Sequence, residues 1–184
     1  MQFKDFQVQL EGHFKFGCSD DDERAQTQLC LDFLRDDPTC FDRSNLQRHF
    51  TGSAVVTDSE THSYILMTLH RKAARWLHLG GHCDGLPQPF VTAWTEAHEE
   101  SGLRSVLPVD PRIFDIDIHD VAPHLDVVGH KHYDIRYWFT ARRSEPLRIS
   151  HESMQLEWVP IRQVLDRNSD PIVGKLVRKL AFLV

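Results

Sequence analysis

The sequence predicts a mixed α/β layered domain, and three observations carry that reading. Short segments with apolar residues at every second position lie on both sides of a stretch, residues 89–101, whose apolar residues repeat with a helical period. Two proline-led segments near the end of the chain read as further helix. The 184 residues, with 41% hydrophobic content, are enough for one sizeable core. Strands around a central helix, with more helix at the end, imply layers of helix on sheet.

In order along the chain, residues 1–46 are polar and acidic in patches, as in "SDDDERAQTQ". Cys30, Phe33 and Leu34 stand at i, i+3 and i+4 and suit a short helix that "DDPTC" ends, so this part is predicted as a helical lead-in. Residues 47–184 then form the main domain. "SAVVT", the polar turn "DSETH" and "SYILMTL" read as a hairpin, and "RWLHL" is a short strand running into Gly80 and Gly81. After Gly102, "IFDIDIH" sets Phe114, Ile116 and Ile118 on one face and Asp115, Asp117 and His119 on the other. "HKHYDIRYWFTA" alternates in the same way, with Tyr133, Ile135, Tyr137 and Phe139 opposite His130, His132, Asp134, Arg136 and Trp138. "LEWVP" is a late strand, and "PIRQVL" and "PIVGKLVRKLAFLV" read as helices.

Composition narrows the function classes. No apolar run approaches the roughly 20 residues that span a bilayer, and "MQFKDFQVQLEGHF" lacks the basic and apolar regions of a secretory signal, so a cytoplasmic protein without a membrane partner is expected. Cys18, Cys30, Cys40 and Cys83 include no CxxC pair and read as reduced thiols. A net charge of −6 argues against general nucleic-acid binding, so a phosphate ligand would need a local cation, either a metal or side chains such as Arg71, Lys72 and Arg75. The oligomeric state is open, a homodimer included.

Residues 89–101 hold the sharpest chemistry. Phe90, Ala93, Trp94 and Ala97 make an apolar stripe suited to packing on a sheet, and Gly102 is a natural left-handed end. Glu96 precedes Glu99 and Glu100 by three and four residues, so the three carboxylates are neighbours on the helix surface. Two like charges about 5 Å apart repel by roughly 3 kcal/mol at an effective dielectric near 20, and acids near a helix C-terminus also face the negative end of its dipole. A solvated acidic face is the plain explanation; bound divalent cations are the functional one. The preceding "WLHLGGHCDG" favours the second, because a strand reaching two glycines lets backbone approach a ligand closely.

Residues 80–103 resemble the Nudix box, which is Gly, five residues, Glu, seven residues, Arg-Glu, an aliphatic, any residue, Glu-Glu, any residue, Gly, aliphatic. Gly81, Glu96, Ala97, Glu99, Glu100, Gly102 and Leu103 fall on that pattern, and the strand order from about residue 48 to 184 resembles the family's α/β/α sandwich with its mixed sheet. Two positions depart: Pro87 stands where the box has its first Glu, and Thr95 where it has its Arg. Losing both of two interacting charges avoids leaving one unpaired, so the departure is compatible with folding.

The resemblance implies a hydrolase that cleaves a phosphoanhydride bond in a nucleoside diphosphate derivative or related small substrate, with Mg2+ or Mn2+ as cofactor. It makes Glu96, Glu99 and Glu100 catalytic and metal-holding, with the Gly80 carbonyl as a further ligand, since hard cations prefer such oxygens. Glu96 or a later carboxylate such as Glu152 would be the general base. The alternative is a Nudix-fold nucleotide-binding or regulatory domain whose turnover is weakened by Pro87 and Thr95.

Other candidates stand outside the box. Twelve histidines raise the question of zinc, above all His130 and His132 on one strand face, but no His/Cys quartet has a recognised zinc spacing, so structural or substrate-contacting roles are expected instead. Asp134 and Arg136 on that face suit a substrate-binding ion pair or a structural salt bridge. Cys83 in the loop reads as a bland thiol rather than a nucleophile. Trp76, Tyr133 and Trp138 could stack a base, although aromatics on alternating strands are more often core.

Overall fold

The computed structural model describes residues 2–123 and 128–183. Helices α1 (Gln2–Phe16) and α2 (Asp21–Asp36) precede strands β1 (Arg48–Asp58), β2 (Tyr64–His70), β3 (Arg75–Leu77) and β4 (Leu79–His82). Helix α3 (Pro89–Ser101) follows, then β5 (Leu107–Pro108), β6 (Asp115–Val121), β7 (His130–Ala141) and β8 (Ser153–Pro160). A 3-10 turn at Ile161–Gln163 leads to α4 (Val164–Arg167) and α5 (Pro171–Leu183). The lead-in holds two long helices where the sequence suggests one short one. On α1 the buried line is Phe6, Leu10 and His13, at i, i+4 and i+7, and the histidine in that series masks the helical period.

Two compact units make up the chain: Met1–Ser53, Gly80–Ala93 and Asp110–Tyr137 in the first, and Ala54–Leu79, Trp94–Val109 and Trp138–Val184 in the second. In the first unit β6 pairs antiparallel with β7, placing Ile116 opposite Ile135 and Asp115 opposite Arg136. The aromatic core joins Phe6, Phe33, Phe41, Phe50 and Tyr133, with Phe33 and Tyr133 ring centroids 4.7 Å apart. Helix α2 covers the outer side of β6: Glu23 Oε1 accepts from the Ile116 amide at 3.2 Å and Gln26 Oε1 from the Ile118 amide at 2.7 Å. Side chains of the lead-in thus satisfy amides that an edge strand would leave open. Glu23, read in the sequence as part of an acidic patch, is wholly buried and also meets His13 Nε2 at 2.9 Å.

In the second unit β2 is central, pairing antiparallel with β1, β3 and β8, while β5 pairs with β7. The predicted hairpin closes around Asp58, whose carboxylate accepts from the amides of Thr61 (2.8 Å) and Tyr64 (2.9 Å). Helix α5 buries Val173, Leu176 and Leu180 at i, i+3 and i+7. Its predicted last residue, Val184, lies outside the described residues.

Candidate active site and histidine cluster

Helix α3 has the predicted span, but its buried line is not quite the predicted one. Ala93 and Ala97 are fully buried, whereas Trp94 is 40% exposed, with its indole N–H donating to the Val106 carbonyl at 3.2 Å. The large ring therefore lies along the surface with its one donor satisfied. Glu100, seven residues after Ala93, takes the place on the buried line and is 4% exposed. Glu96 is half-buried beside it and Glu99 is exposed. The three carboxylates thus run from the covered side of the helix to solvent, a graded oxygen-rich flank. The helix ends as predicted, with Gly102 at φ 69° and its amide donating to the His98 carbonyl at 2.8 Å.

The loop ahead of the helix depends on close backbone approach. Gly80 has φ 156°, and a Cβ there would lie 2.4 Å from Ser53 Oγ, so no larger residue fits against β1. Beyond it, the Gly85 amide donates to the Phe41 carbonyl at 2.8 Å, and Asp84 is held by the Arg43 guanidinium. Burial pushes the Cys83 thiol up to about 12, which leaves it protonated and agrees with a bland loop thiol. Pro87 is half-buried and Thr95 exposed.

On the polar faces of β6 and β7, Asp115, Asp117, Asp134 and Arg136 are buried. Arg136, 1% exposed, donates to Asp134 (2.7 Å) and Asp115 (2.8 Å) and pairs with Asp117 (3.4 Å). Thr51 and Ser53 of β1 donate to the other Asp134 oxygen at 2.8 and 2.7 Å. Burial alone would lower the guanidinium pKa, but the three aspartates outweigh it and raise it. Asp134 and Arg136 accordingly form a buried ion pair within the first unit.

His130 and His132 belong to a different assembly. With His49 of β1 and His82 of β4 they offer ligand atoms that all lie within 4.8 Å of one another. Ring centroids are 5.0 Å apart for His49 and His82, 4.9 Å for His49 and His130, and 5.2 Å for His82 and His132. Burial holds His82 down to about 4 and His132 to about 2, and lowers His49, with neighbouring positive groups adding to each. His49 and His82 carry no signal along the chain, because their relation is spatial: they come from separate strands, and pairing of β1 with β4 and β7 is what gathers them.

No family model matches the sequence, and no curated protein does either. Solved structures do. A NUDIX-family hydrolase from Clostridium perfringens matches with a TM-score of 0.53 and 25% identity, over 75% of this chain and 99% of that one. An Ap4A hydrolase of C. elegans matches with a TM-score of 0.54 and 15% identity, over 73% of this chain and 96% of that one. The dihydroneopterin triphosphate pyrophosphohydrolase of E. coli matches with a TM-score of 0.56 and 11% identity, over 73% and 96%. The chain has the Nudix fold, an α/β architecture built on a mixed sheet.

Proposed function

We propose that the protein is a metal-dependent hydrolase that cleaves a phosphoanhydride bond in a nucleoside diphosphate derivative or a related small phosphorylated substrate. The observation that carries this reading is the retention of Glu96, Glu99 and Glu100 at box spacing on α3 within a Nudix fold. The similar structures include an Ap4A hydrolase and a dihydroneopterin triphosphate pyrophosphohydrolase, whose names describe substrates of the proposed class.

The donor set fits a hard divalent cation. Glu96, Glu99 and Glu100 supply carboxylate oxygens, which suit Mg2+ or Mn2+, and the box resemblance would add the Gly80 carbonyl as a further ligand. When bound, the metal would polarise the diphosphate and lower the pKa of an attacking water. Glu100, fixed on the covered side of α3, is suited to hold one orientation, while exposed Glu99 can reorganise as substrate enters. Glu96 serves as general base in this scheme, with exposed Glu152 as the alternative. The four free thiols suit a reducing, cytoplasmic compartment. Among the described residues no helix is long and apolar enough to cross a membrane.

The test is Mg2+- and Mn2+-dependent release of phosphorylated products from nucleoside diphosphate sugars, dinucleoside polyphosphates, coenzymes and nucleoside triphosphates, with Glu100→Gln beside the wild type. Turnover that this substitution abolishes supports the hydrolase. Absence of turnover on every compound, with nucleotide still bound, supports a second reading that Pro87 and Thr95 favour: a binding or regulatory domain of the same fold. A Pro87→Glu, Thr95→Arg double substitution sharpens the choice, since a gain in a weak activity would identify those positions as what limits catalysis.

A further inference from the structure

We propose that His49, His82, His130 and His132 form a structural centre for one divalent transition-metal ion of borderline softness, with Zn2+ the best fit. The proposal does not depend on the hydrolase reading, and all four residues lie in the first unit.

The hydrogen-bond pattern prepares these rings as ligands. A carbonyl can only accept, so the contact of His49 Nδ1 with the Asn45 carbonyl (3.1 Å) puts the ring proton on Nδ1 and leaves the lone pair on Nε2. His130 is fixed in the same way by the Val128 carbonyl at 2.9 Å. Outer partners of this kind set the tautomer of metal-binding histidines. His49 is 3% exposed, and its Nε2 has no hydrogen-bond partner among the described residues. His130 Nε2 lies 3.1 Å from His132 Nε2. Without an ion, a proton on His132 Nε2 can serve that one contact, but the buried lone pair of His49 stays unsatisfied, which carries a real desolvation cost.

A cation resolves the arrangement. Ligand nitrogens at about 2.0–2.1 Å from a tetrahedral zinc stand roughly 3.4 Å apart. The His130–His132 pair is already near that spacing, and all the ligand atoms lie within 4.8 Å of one another, a span that small side-chain rotations can close. Four neutral imidazoles select zinc-like ions over magnesium, which prefers oxygen, and four protein ligands fill a tetrahedral shell, as in a structural rather than a catalytic site. The nearby Arg43 cation is paired with Asp84. Bound metal would pin the start of β1 and the end of β4 to β7. His119, with its ring centroid 5.5 Å from that of His132, is held by Asp117 at 2.8 Å and stays outside the set.

The experiment uses untagged full-length protein stripped with a chelator, titrated with Zn2+ against a chromophoric competitor and separately with Co2+ while the visible spectrum is recorded. One equivalent of Zn2+ and the intense d–d absorption of a four-coordinate Co2+ are expected. His82→Gln and His132→Gln should each weaken binding by more than the roughly 10–100-fold that losing an outer-shell partner costs. His151→Gln, on the surface and in neither cluster, should leave it unchanged. A wild type that binds no Zn2+, or gives only a weak six-coordinate Co2+ spectrum, overturns the proposal, as does binding that survives His82→Gln and His132→Gln undiminished. Should a histidine variant not fold, the wild-type Co2+ spectrum decides alone.

Discussion

The carboxylates of α3 and the histidines around β7 are two clusters of potential ligands built in opposite ways. Glu96, Glu99 and Glu100 sit within five consecutive residues of one helix, and the helical repeat alone makes them neighbours. His49, His82, His130 and His132 come from three strands and meet only because those strands are gathered in the sheet. A contiguous cluster survives as long as its helix does. An assembled one depends on register, since slipping a strand by one residue turns each of its side chains to the other face. Local chemistry and assembled chemistry should therefore fail differently when perturbed.

The largest effect is expected from the contiguous cluster. Glu100→Gln removes one charged oxygen from the set proposed to hold a divalent cation, and metal assistance is worth several kcal/mol of transition-state stabilisation, or roughly 10³-fold in turnover. Because only one helix position changes, urea midpoints should move little while activity collapses. A large loss of stability with activity per folded molecule retained would show that Glu100 serves packing, and the contrast between the two clusters would break.

Next comes an assembled feature, the Arg136 network. Arg136→Met leaves Asp115, Asp117 and Asp134 buried without their cation, and breaking a buried pair in this way typically costs about 3–5 kcal/mol. Urea denaturation of the purified variant measures it. Because Asp134 also accepts from Thr51 and Ser53 of β1, the penalty should couple to those hydroxyls. A Ser53→Ala, Arg136→Met cycle should be non-additive by about 0.5–3 kcal/mol. Strict additivity would mean the network acts as separate pairs.

The same contrast explains what the sequence disclosed. The hairpin, α3, its glycine end and the phase of β6 and β7 are all periodic or local, and each lies where its pattern places it. Patterning could not reveal that both faces of β6 and β7 are covered, because alternation gives phase but not what lies above each face. Asp115, Asp134 and Arg136 show in the sequence only as the polar side of alternating strands and are buried in the molecule. Glu23 was hidden similarly: an acid in an acidic run reads as surface, and only the docking of α2 on β6 gives it the Ile116 amide and His13 as partners. The histidine quartet is the extreme case, since no spacing along the chain announces it.

A smaller effect, at the local end of the comparison, is expected at Asp58 in the β1–β2 turn. Burial raises its pKa, but amides of Tyr64 and Thr61 and the Thr61 hydroxyl bond to the ionised form and hold it below the ordinary carboxylate value. Asp58→Asn keeps the shape and one acceptor oxygen, so a loss of about 1–2 kcal/mol is expected at neutral pH. The sign of the pH dependence follows from the lowered folded pKa. Stabilisation by the carboxylate is fully present above the unfolded pKa of about 3.9 and is lost as pH falls through the lower folded value. The stability gap between wild type and Asp58→Asn should therefore be flat near neutrality and narrow in acid. Since every partner of Asp58 lies within six residues, the gap should be the same with Arg136→Met in the background. A gap that changed with that distant substitution would show that even this turn is held by the assembled part of the fold.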